Sequence, residues 1–145
     1  LTACADIVLA GPGAFFALSE ARLGLVAAQI APFVVARLGP ATTRRLALTG
    51  SRFNAAQAAS LGFVDELLAD RTELDERLDA ILADIQACGP AALAATKALL
   101  GGLPKFDITA FSHVAAEVFA EAVLGEGVEG VAAFKEKRPP AWATV

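Results

Sequence analysis

Among the residues of this 145-residue chain, Glu20 has the setting that could most directly move a proton. It lies near the end of an almost wholly apolar stretch, Asp6 to Leu25, with Phe15, Phe16, Leu18, Leu23 and Leu25 around it. Such flanks strip hydration from a carboxylate and so favour its protonated form over the charged one. A protonated carboxyl can then act as a general acid. The other reading is that Glu20, like most glutamates, is a solvated surface residue.

Other chemistry-bearing residues are sparser. Arg44 and Arg45 are an adjacent pair that could meet a phosphate or a carboxylate, with surface pairing as the ordinary fate of such residues. Lys97 lies on an apolar stretch and reads as a snorkelling surface lysine. The single histidine, His113, has no acidic or nucleophilic neighbour in a triad-like pattern. No His or Cys converges with the carboxylates of residues 72–88, so no metal is expected. Gly101-Gly102-Leu103-Pro104 reads as a flexible connection, lacking the Lys-Ser/Thr of a phosphate loop.

The elements that must position Glu20 follow from periodicity and breakers. Ile7 to Ala10 reads as a buried strand, Gly11-Pro12-Gly13 as a turn, and Ala14 to Leu18 as a second short strand that delivers Ser19 and Glu20 to its end. Helices are expected over Ala27–Leu38, with Pro32 as a kink or a late start, and over Ala41–Leu48. Asn54 should cap a helix over Ala55–Ser60, ahead of an extended segment from Phe63 to Leu68. An amphipathic helix is expected over Thr72–Cys88, followed by Ala91–Leu100, Ile108–Leu124 and Val128–Lys137, the last two separated by Gly125-Glu126-Gly127. Pro139-Pro140-Ala141-Trp142 then forms a stiff tail.

Composition bounds the partners. The chain is 56% hydrophobic and 19% charged, a high apolar load for one small domain, which implies a partner surface. A net charge of −4 with singly spread Lys and Arg offers no field for nucleic acid. Glu20, Arg22, Arg37 and Arg44 interrupt the apolar first third, so no membrane span is expected. Cys4 and Cys88 lack a CxxC or metal-type spacing and read as small buried or half-buried thiols in a reducing cytoplasm.

A series of segments in order carries a resemblance. Cys4 to Ala10, Ala14-Phe15, Ser19 to Leu25, Arg37-Leu38-Gly39, Leu48-Thr49-Gly50, Ala55 to Ala58, Leu61 to Val64 and Ala133 to Arg138 together resemble the second half of the enoyl-CoA hydratase/isomerase (crotonase) family. Gln29 to Val35 is most similar to the branch that hydrates methylglutaconyl-CoA and isohexenylglutaconyl-CoA. Val26 to Ala31 stands where much of the family has a Pro-Gly-x-Gly-Gly turn, a departure that favours branched glutaconyl-type substrates over straight-chain ones.

The resemblance implies an α/β crotonase spiral of ββα units, present in part, with residues 1–70 in the spiral core and 71–145 in a helical trimerisation region. It implies a hydratase acting on a 2,3-unsaturated acyl-CoA, with no cofactor beyond that substrate. Glu20 would give the proton to the α-carbon, while a first glutamate and both oxyanion-hole N–H groups would lie upstream of Leu1. Phe134 and Lys137 would reach the adenine and phosphate end of a neighbouring subunit's CoA, in a homotrimer or a dimer of trimers. For Gln29 two roles stay open, a polar contact to substrate and a solvent-facing helix residue. Two other functions stand beside hydration: double-bond isomerisation, which could use Glu20 alone, and an inactive assembly module.

Overall fold

The computed structural model describes residues 1–103 and 107–143, and divides into two compact units, 1–79 and 80–145. The first begins with a 3-10 turn, Thr2–Cys4, and then β1 (Leu9–Ala10) and β2 (Phe15–Phe16). A second 3-10 turn, Glu20–Leu23, precedes α1 (Ala31–Thr49), β3 (Phe53–Asn54), α2 (Ala55–Ser60) and β4 (Glu66–Leu67). The helix α3 (Arg71–Gln86) contains the boundary between the units.

The strands are shorter than the apolar runs that mark them. β1 pairs in parallel with β4, Leu9 opposite Glu66, and β2 pairs antiparallel with β3, Phe16 opposite Phe53. Only two residues of each run enter the strand ladder, so hydrophobic length overstates it, and Ser19 and Glu20 lie just beyond the end of β2. The extended segment expected over Phe63–Leu68 likewise contracts to Glu66–Leu67.

Pro32 marks a late start: α1 begins at Ala31 with the proline in its first turn, where its missing N–H costs nothing. Gly39, at φ 73° and ψ 164°, breaks that helix before Pro40 restarts it. Thr43 spans the break, its hydroxyl donating to the Gly39 carbonyl at 2.8 Å. Asn54 and Gln57 cap α2 reciprocally, each side chain accepting from the other's backbone N–H at 2.9 Å.

These elements enclose a core of Val8, Leu18, Val34, Leu46, Phe53 and Val64 with smaller residues between them. Phe16, Phe53 and Phe63 form an aromatic triangle with centroids 5.1 to 5.8 Å apart. Arg37 on α1, 13% exposed, fastens the rim of this core. Its guanidinium donates to the carbonyls of Ala5 (2.7 Å) and Phe63 (3.0 Å) and to Asp65 (2.7 Å), whose carboxylate also accepts from the Val8 N–H at 2.6 Å.

The second unit carries α4 (Pro90–Gly102), α5 (Ile108–Leu124), α6 (Glu126–Glu136) and a 3-10 turn, Ala141–Ala143. Gly89 offers α4 no capping side chain, so the Glu126 carboxylate does so from another helix, accepting from the N–H groups of Ala91 (2.9 Å) and Ala92 (3.0 Å). Asp107 caps α5. Trp142 closes the tail: its indole N–H donates to the Ala87 carbonyl at 3.1 Å and its ring lies against Gly130. α4 continues through Gly102, where a connection was expected, and Pro104 lies outside the described residues. Cys4 and Cys88 are exposed, which corrects the expectation of buried thiols: each sits on a short turn or helix end rather than on a core-facing position.

Candidate active site

Glu20 opens the second 3-10 turn. Gly24 ends it in the left-handed conformation (φ 72°), letting the N–H groups of Gly24 and Leu25 reach the carbonyls of Ala21 (3.2 Å) and Glu20 (3.0 Å). Arg22 ties this turn to the end of α1, its Nε and Nη2 both donating to the Thr49 carbonyl at 3.3 Å. The arginine lies across Gly50, where a side-chain carbon would stand 2.8 Å from Arg22 Cγ.

The carboxylate itself is unusual. Glu20 Oε2 is buried and, among the described residues, is the one buried side-chain oxygen or nitrogen with no hydrogen-bond partner. Buried polar atoms are nearly always paired, so an orphan of this kind needs a reason, and a reaction partner is one. The dry surround expected from the flanking residues forms only in part. Leu18 is buried and Phe16 half-buried, but Phe15, Leu23 and Leu25 are 59%, 72% and 60% exposed, because strand alternation and the tight turn send them to the other face.

Two cavities border the β2 segment. One, of about 270 Å3, is apolar and lined by residues including Cys4, Phe16, Leu18, Phe33 and Val34. The other, of about 720 Å3, lies against Phe15, Ser19, Arg22, Leu23 and Arg52, with the Arg52 guanidinium 4.4 Å above the Phe15 ring.

Gln29 is exposed in the turn preceding α1, so it is not the helix residue the sequence suggested. Phe134 and Lys137 share the last turn of α6, in the second unit. Phe134 is 85% exposed, and Lys137 caps the helix in the left-handed region at φ 54°. Next to them Arg138 grips Glu129 with both terminal nitrogens, at 2.6 and 3.0 Å. The Arg138 guanidinium and the Ala141 N–H hold the Glu129 carboxyl far below the usual carboxylate range, at about 2. Among the described residues no group of three or more His, Cys, Asp or Glu side chains could hold a metal ion, and no single helix is long and apolar enough to cross a membrane.

The sequence did not mark Arg22, Arg37 or Arg138 as structural clamps. Arg22 and Arg37 have partners 26 to 32 residues away, and no local pattern signals that. Gly50 after Leu48-Thr49 was the one available signal for the Arg22 contact.

Residues 1–144 match the enoyl-CoA hydratase/isomerase family. This chain belongs to that family. A solved enoyl-CoA hydratase/isomerase from Marinobacter aquaeolei superposes with a TM-score of 0.95 at 43% identity, covering 98% of this chain and 54% of that one. Pseudomonas aeruginosa AtuE superposes equally well, TM-score 0.95 at 46% identity, covering 99% and 56%. In sequence, a peroxisomal Delta(3,5)-Delta(2,4)-dienoyl-CoA isomerase from Arabidopsis thaliana is 32% identical over 99% of this chain and 52% of its own length. The fold is thus a partial crotonase fold, and the chain spans about half the length of the relatives it matches.

Proposed function

We propose that the protein bearing this chain is a hydratase of 2,3-unsaturated acyl-CoA esters, with Glu20 as a catalytic residue. The observation that carries this reading is the buried, unpartnered Oε2 of Glu20, on a turn fixed by Arg22 and Gly24. Adding water across the conjugated double bond develops negative charge on the thioester oxygen, which two backbone N–H groups can stabilise in a dry site. Those donors, and the carboxylate that activates the water, are assigned to the portion of the family fold that this chain does not span. Glu20 supplies the proton that the α-carbon takes up, and its position at the rim of a rigid turn keeps that proton aimed at one carbon.

The acyl group is assigned to the branched glutaconyl type, on the strength of Val26 to Ala31 in place of the glycine-rich turn. Phe134 and Lys137 are assigned to the adenine and phosphate end of CoA, and Gln29 to a polar contact in the pocket. The assembly is a homotrimer or a dimer of trimers, for which exposed Phe119, Leu124, Val128 and Val131 on α5 and α6 supply apolar surface. Assay of the whole protein on glutaconyl-type CoA esters tests the reading: water uptake with loss of the conjugated thioester absorbance supports it, and no turnover rejects it.

A second reading is double-bond isomerisation. One carboxyl can move a proton between carbons, and a relative at 32% identity is named for an isomerase. Product analysis separates the two, since isomerisation leaves the mass unchanged and hydration adds a water.

A further inference from the structure

Lys137 is the only residue other than glycine with a positive φ among the described residues, at 54°. A side chain held in that region is directed by its surroundings rather than by its own preference, and such strain gathers at functional positions. The surroundings here are the two flanking residues. Arg138 donates from Nε to Glu136 at 2.7 Å and through both terminal nitrogens to Glu129, while its backbone N–H reaches the Ala133 carbonyl at 3.0 Å. Glu129 also accepts from the Ala141 N–H at 2.9 Å, so the chain on the far side of Lys137 is fastened to the same carboxylate.

From this we infer that Arg138 is a positioning residue for anion recognition by Lys137. The inference rests on the assignment of Phe134 and Lys137 to the nucleotide end of CoA. Arg138 acts in two ways. It locks the left-handed turn that sets the direction of the lysine side chain. It also engages two carboxylates, Glu129 earlier on α6 and Glu136 next to the lysine in the chain, so their charge is met by the guanidinium rather than left bare towards an incoming phosphate. Among the described residues Lys137 makes no ion pair, and the exposed Phe134 ring three positions earlier offers a flat face for a base.

The test is a comparison of coenzyme A with dephospho-coenzyme A, which lacks one phosphate, by calorimetric titration of the whole protein. In the natural protein, removing that phosphate should weaken binding about tenfold, an ordinary yield for one well-placed charge-assisted contact. In Arg138→Gln the two ligands should bind alike. Arg138→Lys keeps a charge but loses the two-pronged grip and should fall between. It also serves as the measurable variant if the glutamine protein does not fold. A phosphate discrimination in Arg138→Gln or Arg138→Lys equal to that of the natural protein overturns the inference, whatever happens to stability. If Lys137→Ala also leaves the discrimination intact, the assignment of Lys137 itself is at fault. Discrimination lost in Lys137→Ala and retained at Arg138 removes the positioning role alone.

Discussion

Arg22 lies across Gly50 so closely that the glycine has no room for a side chain, and through this contact the turn carrying Glu20 is seated on the C-terminal end of α1. The first prediction follows from that seat. Gly50→Ala combines a left-handed backbone with a displaced arginine and should cost roughly 2–3 kcal/mol. Gly62→Ala has a similar φ of 73° but open space beside it, and should cost only about 1–2 kcal/mol. Urea unfolding of the two variants measures the difference, which belongs to the Arg22 contact. Equal losses would show that the contact adds nothing.

Glu20→Gln keeps the shape of the side chain and removes its transferable proton. In the whole protein, kcat for hydration should fall about 10²- to 10⁴-fold while the Kd for a CoA ester stays within about twofold. Turnover near the natural rate would take Glu20 out of the mechanism.

Arg37→Met should cost about 2–3 kcal/mol, since it strands Asp65 and leaves the carbonyls of Ala5 and Phe63 without their donor. Asp65→Asn should cost less, because an amide oxygen can still accept from the Val8 N–H. Chemical denaturation ranks the two, and the reverse order would contradict the geometry.

Acid should loosen the tail through Glu129. Its carboxyl titrates at about 2 in the folded chain against an ordinary 4.5, so the group stabilises the fold fully above about 4.5 and loses that contribution as pH falls from there towards 2. Arg138→Gln removes the main cause of the shift. The melting temperature of the variant should therefore drop less between pH 6 and pH 3 than that of the natural protein. Parallel curves would argue against a linked Glu129–Arg138 pair.

The parts of the fold legible in the sequence are those governed by local rules. The cap at Asn54, the bounds of α5 and the proline start of α1 each depend on side chains within a few positions. Gly127 shows where such rules fail. Read as a breaker between two helices, it lies inside α6, and it is a glycine for a packing reason instead: the Ala122 carbonyl approaches within 2.7 Å of where a side-chain carbon would be. At the candidate site, the position of Glu20 just beyond a short strand was foreseeable from its flanks. The exposure of Phe15 and Leu23 was not, because side chains on a two-residue strand and a tight turn diverge to faces that hydrophobicity does not distinguish. The clamps at Arg22 and Arg37 carry no local signal for a different reason, since each joins segments 26 to 32 residues apart.

The cap that Glu126 places on α4 has a consequence for synthesis. Ala91 leaves the ribosome 35 residues before the carboxylate that receives its N–H. At roughly 5–20 residues per second, the interval is about 2 to 7 s. During that time the first turn of α4 faces water with its amides uncapped, and a short isolated helix is marginal in that state. The side-chain cap of α4 is therefore complete only once Glu126 has emerged, so the two ends of this contact are separated in time as well as along the chain.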